Sequence, residues 1–179
     1  IVAAQRGLAD IAAPYEQASL ALRGVAPVSA NTELQASALG FTDRRTRGTV
    51  LSGNGGTGAD ASLQLVHSGR WIWQALAYLQ ARKFHSGFVS VNAARSTATQ
   101  TVDQFNVPST GLGARFEIRP PIGAGVELRL GADYRRTVGE TRELFTYVGG
   151  LPTRMREAGG KSDTTGAFAE LSAELGALT

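Results

Sequence analysis

The chain has 179 residues, of which 42% are hydrophobic and 18% charged, and its formal net charge is +3. It contains no cysteine, which excludes a disulfide framework and a thiolate metal site. No apolar run approaches the roughly 18 residues of a membrane-spanning helix, which excludes helical spans. The strands of a membrane barrel alternate apolar and polar residues, so they would leave no such run.

The distribution of basic residues argues against nucleic-acid binding. Lys83 and Lys161 are the two lysines, so 16 of the 18 basic residues are arginines. They are spread from Arg6 to Arg156 among carboxylates, whereas a nucleic-acid binder clusters them on one face.

Period-2 alternation of apolar and polar residues predicts an all-β chain. In 125–136, for example, Val126, Leu128 and Leu130 alternate with Glu127 and Arg129. The predicted strands, in chain order, cover 1–6, 16–25, 31–42, 59–67, 70–83, 111–119, 125–137 and 165–176. Because the chain begins at Ile1, directly with the apparent tail of a strand, we expect an internal piece of a longer protein.

The connections between these strands alternate between short and long. Segments 26–30, 68–69 and 120–124 are short and rich in Pro, Gly and Ser, whereas 43–58, 84–110 and 138–164 are predicted as long loops. An antiparallel up-and-down meander places all short turns at one end and all long loops at the other. Bacterial outer-membrane barrels show this asymmetry.

Strand length and residue size also favour a membrane. Most predicted strands are near the 9–11 residues that cross a bilayer when tilted, and many of their apolar residues are alanines, which fill a soluble core poorly. Aromatic residues near the predicted strand ends suit interfacial girdles: Trp71 and Trp73 at the short turns, and Phe41, Phe84 and Tyr134 toward the loops. We therefore predict one partial transmembrane β-barrel domain over 1–179.

Two blocks of the chain resemble the barrel domain of TonB-dependent outer-membrane receptors. The first, within 128–176, contains GADYRR, GETRELF, REAGG and GAFAELS in that order. The second, within 69–114, joins an aromatic strand to a Ser/Thr-rich segment and then DQFNVPSTGLGA.

This resemblance implies the function of the parent protein. Such a receptor takes up a scarce solute, such as a ferric siderophore or another metal chelate, across the bacterial outer membrane. Its partners would be outer-membrane lipid and lipopolysaccharide, and TonB would act only through a plug domain that this sequence lacks. A family barrel has about 22 strands, so the chain would be a fragment of the wall.

No motif supports catalysis, a cofactor or a metal. Gly53–Gly58 (GNGGTG) formally matches G-x-G-x-x-G, but a strand follows it rather than a helix, so a flexible loop tip is expected. His67 and His85 have no second ligand at metal spacing. The basic cluster Asp43–Gly48 is expected to be a solvated loop that could meet lipopolysaccharide phosphates.

Charged and aromatic residues outside these motifs give two further expectations. The charged residues between 115 and 135 are expected to pair across strands on the lumen side rather than perform acid–base chemistry. Ligand contacts are expected in the long loops, and the candidates are Phe105, Tyr147, Arg154 and Arg156.

Two alternatives remain open at this stage. One is a self-contained eight-stranded outer-membrane barrel acting as an anchor or adhesion module, in which the first and last strands pair. The other is a soluble carbohydrate-binding β-sandwich, which predicts that Val126, Leu128 and Leu130 are buried.

Overall fold

The computed structural model describes residues 5–174 and residue 176. Within these residues all the strands form one antiparallel sheet whose spatial order follows the chain order. The sheet confirms the predicted all-β, up-and-down meander. Its strands are β1 (Tyr15–Ser29), β2 (Thr32–Thr46), β3 (Gly53–Ser68), β4 (Ile72–Val91), β5 (Ala98–Arg119), β6 (Val126–Val148) and β7 (Leu151–Ala173).

No helix among the described residues has the length and apolar character needed to cross a membrane.

The described strands number seven, one fewer than the sequence predicted. Gln5 and Arg6 lie outside any strand, and the remainder of the predicted strand 1–6 lies outside the described residues. Leu175, placed in the last predicted strand, also lies outside them.

The prediction of long loops was wrong. Strands extend through most of 43–58, 84–110 and 138–164, and the connections shrink to 47–52, 92–97 and 149–150. These segments carry polar residues on both faces, so periodicity did not mark them as strands. Gly149 and Gly150, with φ of 61° and 81°, form the two-residue turn that joins β6 to β7, a role for which a Gly-Gly pair is well suited.

The pairing register brings the alternating apolar sets of all seven strands to one face of the sheet, here called the apolar face. One row of directly paired residues crosses every strand: Ala26, Leu34, Leu65, Ala75, Phe116, Ala132 and Ala167. Because a shift of one residue would reverse the faces of a strand, the alternation read from the sequence is confirmed. It also places Phe41 and Phe84 on the opposite, polar face, so their assignment to the girdle was wrong.

The polar face carries three aromatic–glycine pairs. Phe41 pairs directly with Gly58, Tyr78 with Gly113 and Phe168 with Gly131. A Cβ at Gly58 would lie 2.5 Å from Phe41 Cε1, so each glycine provides the room for its partner ring. Arg82 Cζ lies 5.0 Å from the Phe41 centroid, which adds a cation–π contact. Such pairing is a known device for glycines in sheets.

The sheet has no second protein layer among the described residues. The buried hydrophobic residue of this part of the chain is Ala9, which lies outside the sheet. Large apolar side chains stay exposed, including Leu20 at 67%, Leu63 at 56% and Leu171 at 67%. Of the three residues expected to be buried in a soluble sandwich, Val126 and Leu130 are 38% and 37% exposed and Leu128 is half-buried.

The aromatic–glycine pairs give a stability prediction. In Gly113→Val the new Cβ would lie 2.5 Å from Tyr78 Cζ, so we expect a loss of about 1–3 kcal/mol of unfolding free energy. Tyr78→Ala in the same chain should recover most of the loss. Denaturant titration of the single and double variants measures both effects.

Gly40→Val is the matched control, because nothing lies within 4 Å of a Cβ at Gly40. It should be neutral or stabilising, since valine favours strands. Equal losses at both glycines would refute the pairing account.

Candidate functional site

The hairpin ends opposite the short turns contain the most irregular backbone of the sheet. β5 has bulges against β4 near Ser86 and Phe88, and a bulge between Gln104 and Asn106 interrupts its pairing with β6. Bulges re-aim side chains and occur beside functional sites. This end of the molecule is therefore the candidate location of a functional site.

A groove of about 640 Å³ lies between the β4–β5 hairpin and the end of β6. Its volume falls within the roughly 300–1,000 Å³ typical of small-molecule sites. The lining consists of hydroxyl and amide side chains with two aromatic rings and one valine, and it contains no charged residue: Ser90, Asn92, Thr97, Thr99, Gln100, Thr101, Val102, Phe145, Thr146 and Tyr147.

Thr146 shapes one wall of this groove through an unusual backbone conformation. Its φ is +55°, a left-handed value that is a genuine outlier for a β-branched residue. Phe145 pairs with Arg154 and Tyr147 with Pro152, while Thr146 itself leaves the pairing. Three consecutive residues of β6, 145–147, line the groove. Thr153 Oγ1 donates to the Thr146 carbonyl at 2.7 Å.

The four predicted ligand contacts do not form one cluster. Tyr147 lines the groove, and Arg154 pairs with the groove residue Phe145. Phe105 lies at the β5 bulge outside the lining. The sequence marks Phe145 only as one of the aromatic residues of segment 138–164, and it does not mark the Ser/Thr-rich run 96–101 as part of a site, although that run stands out in composition.

Arg156 belongs to a neighbouring polar cluster centred on Glu143. Its Nε donates to Glu143 Oε2 at 2.9 Å, and Gln104 Nε2 donates to Glu143 Oε1 at 2.7 Å. Glu143 is 6% exposed, and Arg156 Cζ lies 5.2 Å from the Phe145 ring centroid. These partners occupy the Arg156 side chain, so its structural role is to support Phe145.

Residues 7–14, here called the strap, fasten the other hairpin ends together. The Ala9 amide donates to the Arg95 carbonyl at 2.9 Å, and the Val50 amide donates to the Ala9 carbonyl at 3.0 Å. The strap thus connects the 47–52 loop to the 92–97 loop. A Cβ at Gly7 would collide with the Arg95 carbonyl oxygen, so the close approach requires glycine there.

The strap and the 47–52 loop protect an exposed strand edge. β4 pairs with β3 only as far as Ser86 but continues to Val91. The side chain of Arg47 donates to the Gly87 carbonyl and lies 4.9 Å from the Phe88 centroid. Covering such an edge prevents it from pairing with another chain.

An ion pair holds the strap in place. Arg95 Nε donates to Asp10 Oδ2 at 2.8 Å, and a second donor of Arg95 reaches Asp10 Oδ1. The Arg95 guanidinium, together with the Gly7 amide, holds the pKa of the Asp10 carboxyl well below its ordinary value of 3.8. The same hydrogen bond from Arg95 to Asp10 raises the pKa of Arg95.

Glu117 is the centre of the charged ladder on the polar face. It is 2% exposed and receives ion pairs from Arg115 at 3.1 Å, Arg119 at 3.3 Å and Arg129 at 3.1 Å. Arg129 also reaches Glu170 on β7 at 2.9 Å. The predicted pairing across strands is confirmed for Arg129, which bridges Glu117 and Glu170, whereas Arg115 and Arg119 reach Glu117 along the same strand.

The glycine-rich segment, most of the basic cluster and His67 lie within strands of the sheet. Gly53–Gly58 forms the beginning of β3, so its prediction as a loop tip was wrong. Asp43–Thr46 lies in β2 rather than in a solvated loop. His67 Nδ1 and Thr32 Oγ1 share a hydrogen bond of 2.8 Å, and the ring stacks on Trp73 at 5.5 Å. Among the described residues, no group of three His, Asp or Glu side chains could hold a metal ion.

Comparison with family models, with curated proteins and with solved structures found no match.

The Asp10 ion pair gives a pH prediction. Because the folded-state pKa is depressed, the stabilisation is fully present above pH 3.8 and is lost as pH falls through the folded value. Amide protection factors at Ala9 and Val50, measured by hydrogen exchange, should stay constant from neutral pH down to 3.8 and fall below it.

Asp10→Asn removes the titrating group, so protection at these amides should be low at neutral pH and independent of pH. Asp43→Asn is the control and should behave like the wild type. Full protection in Asp10→Asn would show that the ion pair does not hold the strap.

Proposed function

We propose that the chain is a section of transmembrane β-barrel wall from a bacterial outer-membrane receptor of the TonB-dependent type, which takes up a scarce solute. The observation that carries the proposal is the single-layer sheet with one continuous apolar face. The proposed environment of that face is the outer-membrane lipid.

The chemistry of the two faces supports a lipid environment. A soluble domain buries the apolar face of a sheet against a second layer, and the described residues supply none. Hydrocarbon solvates such a face directly, and the backbone polar groups stay satisfied because neighbouring strands pair with each other. The opposite face, with its Glu117 ladder, suits a water-filled lumen.

The height of the apolar band supports the same proposal. In β6 the apolar side chains run from Val126 to Tyr134, nine residues that rise by about 3.3 Å each. A tilted strand of about 9–11 residues crosses the hydrocarbon layer. Beyond Tyr134 the same face carries Arg136, which pairs with Asp163 on β7 at 3.9 Å, as expected where a strand leaves lipid.

The strand extensions beyond this band support a receptor role. β6 and β7 continue to the turn at 149–150, so the hairpin stands well clear of the apolar band. Such extensions on the outer side of a barrel are positioned to contact lipopolysaccharide and to meet a solute first. Transport would depend on a plug domain that couples to TonB, in line with the sequence resemblance.

Placement of one arginine tests the membrane environment. Leu63 lies in the middle of the apolar face, and Ser62 faces the other side. In lipid vesicles, Leu63→Arg should lose about 2–4 kcal/mol of unfolding free energy, the cost of an arginine at the bilayer midplane. Ser62→Arg should lose no more than about 1 kcal/mol, since it removes one hydrogen bond, to Ser37.

For the wild type and both variants, circular dichroism measures sheet content and its loss on unfolding, and vesicle flotation measures association with lipid. The wild type should form sheet and float only when vesicles are present. A compact monomer in plain buffer, with equal effects of the two arginines, would contradict the membrane proposal and favour a soluble carbohydrate-binding protein.

Hydrogen exchange at the sheet edges tests whether the chain is part of a larger wall. β1 and β7 are the terminal strands of the described sheet and are not paired with each other. In vesicles, their outward amides should exchange much faster than those of β3 to β5. If the outward amides of β1 and β7 in a monomer were as protected as those of β3 to β5, the self-contained small barrel would be indicated instead.

A further inference from the structure

The groove between the β4–β5 hairpin and the end of β6 has the chemistry of a carbohydrate site. We propose that it binds a neutral saccharide, with the rings of Phe145 and Tyr147 packing against the C–H face of a sugar and the surrounding hydroxyl groups contacting its polar edge. The inference rests on the proposed function in one respect, namely that the hairpin ends stand clear of lipid.

The first argument is charge. No residue lining the groove is acidic, basic or a histidine. The adjacent charges are mixed: Asp103 follows the groove residue Val102, Arg154 pairs with Phe145, and Arg156 beside the Phe145 ring is already paired with Glu143. An anionic ferric chelate or phosphate is recognised by charge-assisted hydrogen bonds from cations, which this lining does not contain. A neutral ligand fits it better.

The second argument is the hydrogen-bonding capacity of the lining. The Asn92 side chain is used within its own loop, where its Oδ1 accepts from the amides of Ser96 and Thr97 at 2.9 and 3.1 Å. The side-chain amide of Gln100 donates through Nε2 to the Val102 carbonyl at 3.3 Å. The groove also contains the hydroxyl groups of Ser90, Thr97, Thr99 and Thr101. A hydroxyl both donates and accepts, which matches the hydroxyl groups of a sugar.

The third argument is the arrangement of residues 145–147. Phe145 and Tyr147 are two residues apart in β6, so the strand presents both rings on one side, and Thr146, with its left-handed backbone, also lines the groove. Strain of this kind costs roughly 1–3 kcal/mol and clusters at ligand-binding sites. Both rings are half-buried, so they are held by the fold while one side faces the groove. Aromatic side chains offer a large contact area with a small loss of conformational entropy.

The experiment measures the binding of defined probes to the full chain inserted in lipid vesicles. The neutral probes are linear hexasaccharides of α-1,4-glucose, β-1,4-glucose, β-1,4-xylose and β-1,4-N-acetylglucosamine. Inorganic phosphate and ferric citrate are the anionic comparators. Saturation-transfer NMR detects binding, and calorimetry gives the Kd at about 0.05 and 0.5 M NaCl.

We expect saturable binding of at least one neutral hexasaccharide, with a Kd that changes less than about twofold between the two salt concentrations. Tyr147→Ala and Phe145→Ala should each weaken binding at least about tenfold, as is typical for aromatic anchors. Tyr147→Phe should retain most of the affinity, because the ring remains. Thr146→Gly should also retain it, since glycine adopts a φ of 55° freely.

Tyr15→Ala is the matched control, because Tyr15 is an exposed aromatic residue at the start of β1, at the far edge of the sheet. It should leave the Kd unchanged. Hexasaccharide binding that survives both Tyr147→Ala and Phe145→Ala would overturn the assignment of the groove.

Two further outcomes would also overturn the inference. One is salt-sensitive binding of the anionic probes in place of the sugars, and the other is no saturable sugar binding by a correctly inserted chain. In both cases the proposed membrane function would stand. If instead the chain stays soluble, the membrane proposal fails, and the same titrations on the soluble chain still decide whether the groove binds sugar.

Discussion

An apolar sheet face with no protein layer against it is the constraint on which the rest of this structure depends. Across seven strands the register keeps Leu, Ala and aromatic side chains on that face, while Ala9 is the buried hydrophobic residue of the described chain. Burial of apolar area is the dominant favourable contribution to folding. Under the proposed function that contribution comes from hydrocarbon, which tolerates a sheet whose polar groups are paired internally.

The polar face is ordered by local pairing rather than by a core. Phe41, Tyr78 and Phe168 each cover a glycine on the neighbouring strand, which lets the large rings lie against the sheet. Glu117 gathers three arginines, so charge is balanced without a second layer. At the hairpin ends, beyond the apolar band, the strap and the Asp10–Arg95 ion pair supply the buried contacts.

The fold class and the facing of the strands could be predicted from the sequence, because a two-residue period survives wherever one face is apolar. The same reasoning failed beyond the apolar band. Segment 138–164 carries polar residues on both faces, so its pairing leaves no periodic signal, although Gly149–Gly150 marks its turn. Tyr147 was anticipated as a contact, whereas the groove that it shares with Phe145 depends on the β4–β5 hairpin that lies opposite them, which residue type alone does not disclose.

A nitroxide scan along β3 in lipid vesicles tests the central claim most directly, and the absence of native cysteine makes single labels specific. Labels at 61, 63 and 65 should collide readily with oxygen, which concentrates in the hydrocarbon, and labels at 62, 64 and 66 should collide with a water-soluble nickel chelate. An alternation of period two with this phase is the result the account predicts. Uniform access of the nickel chelate to all six positions would contradict it.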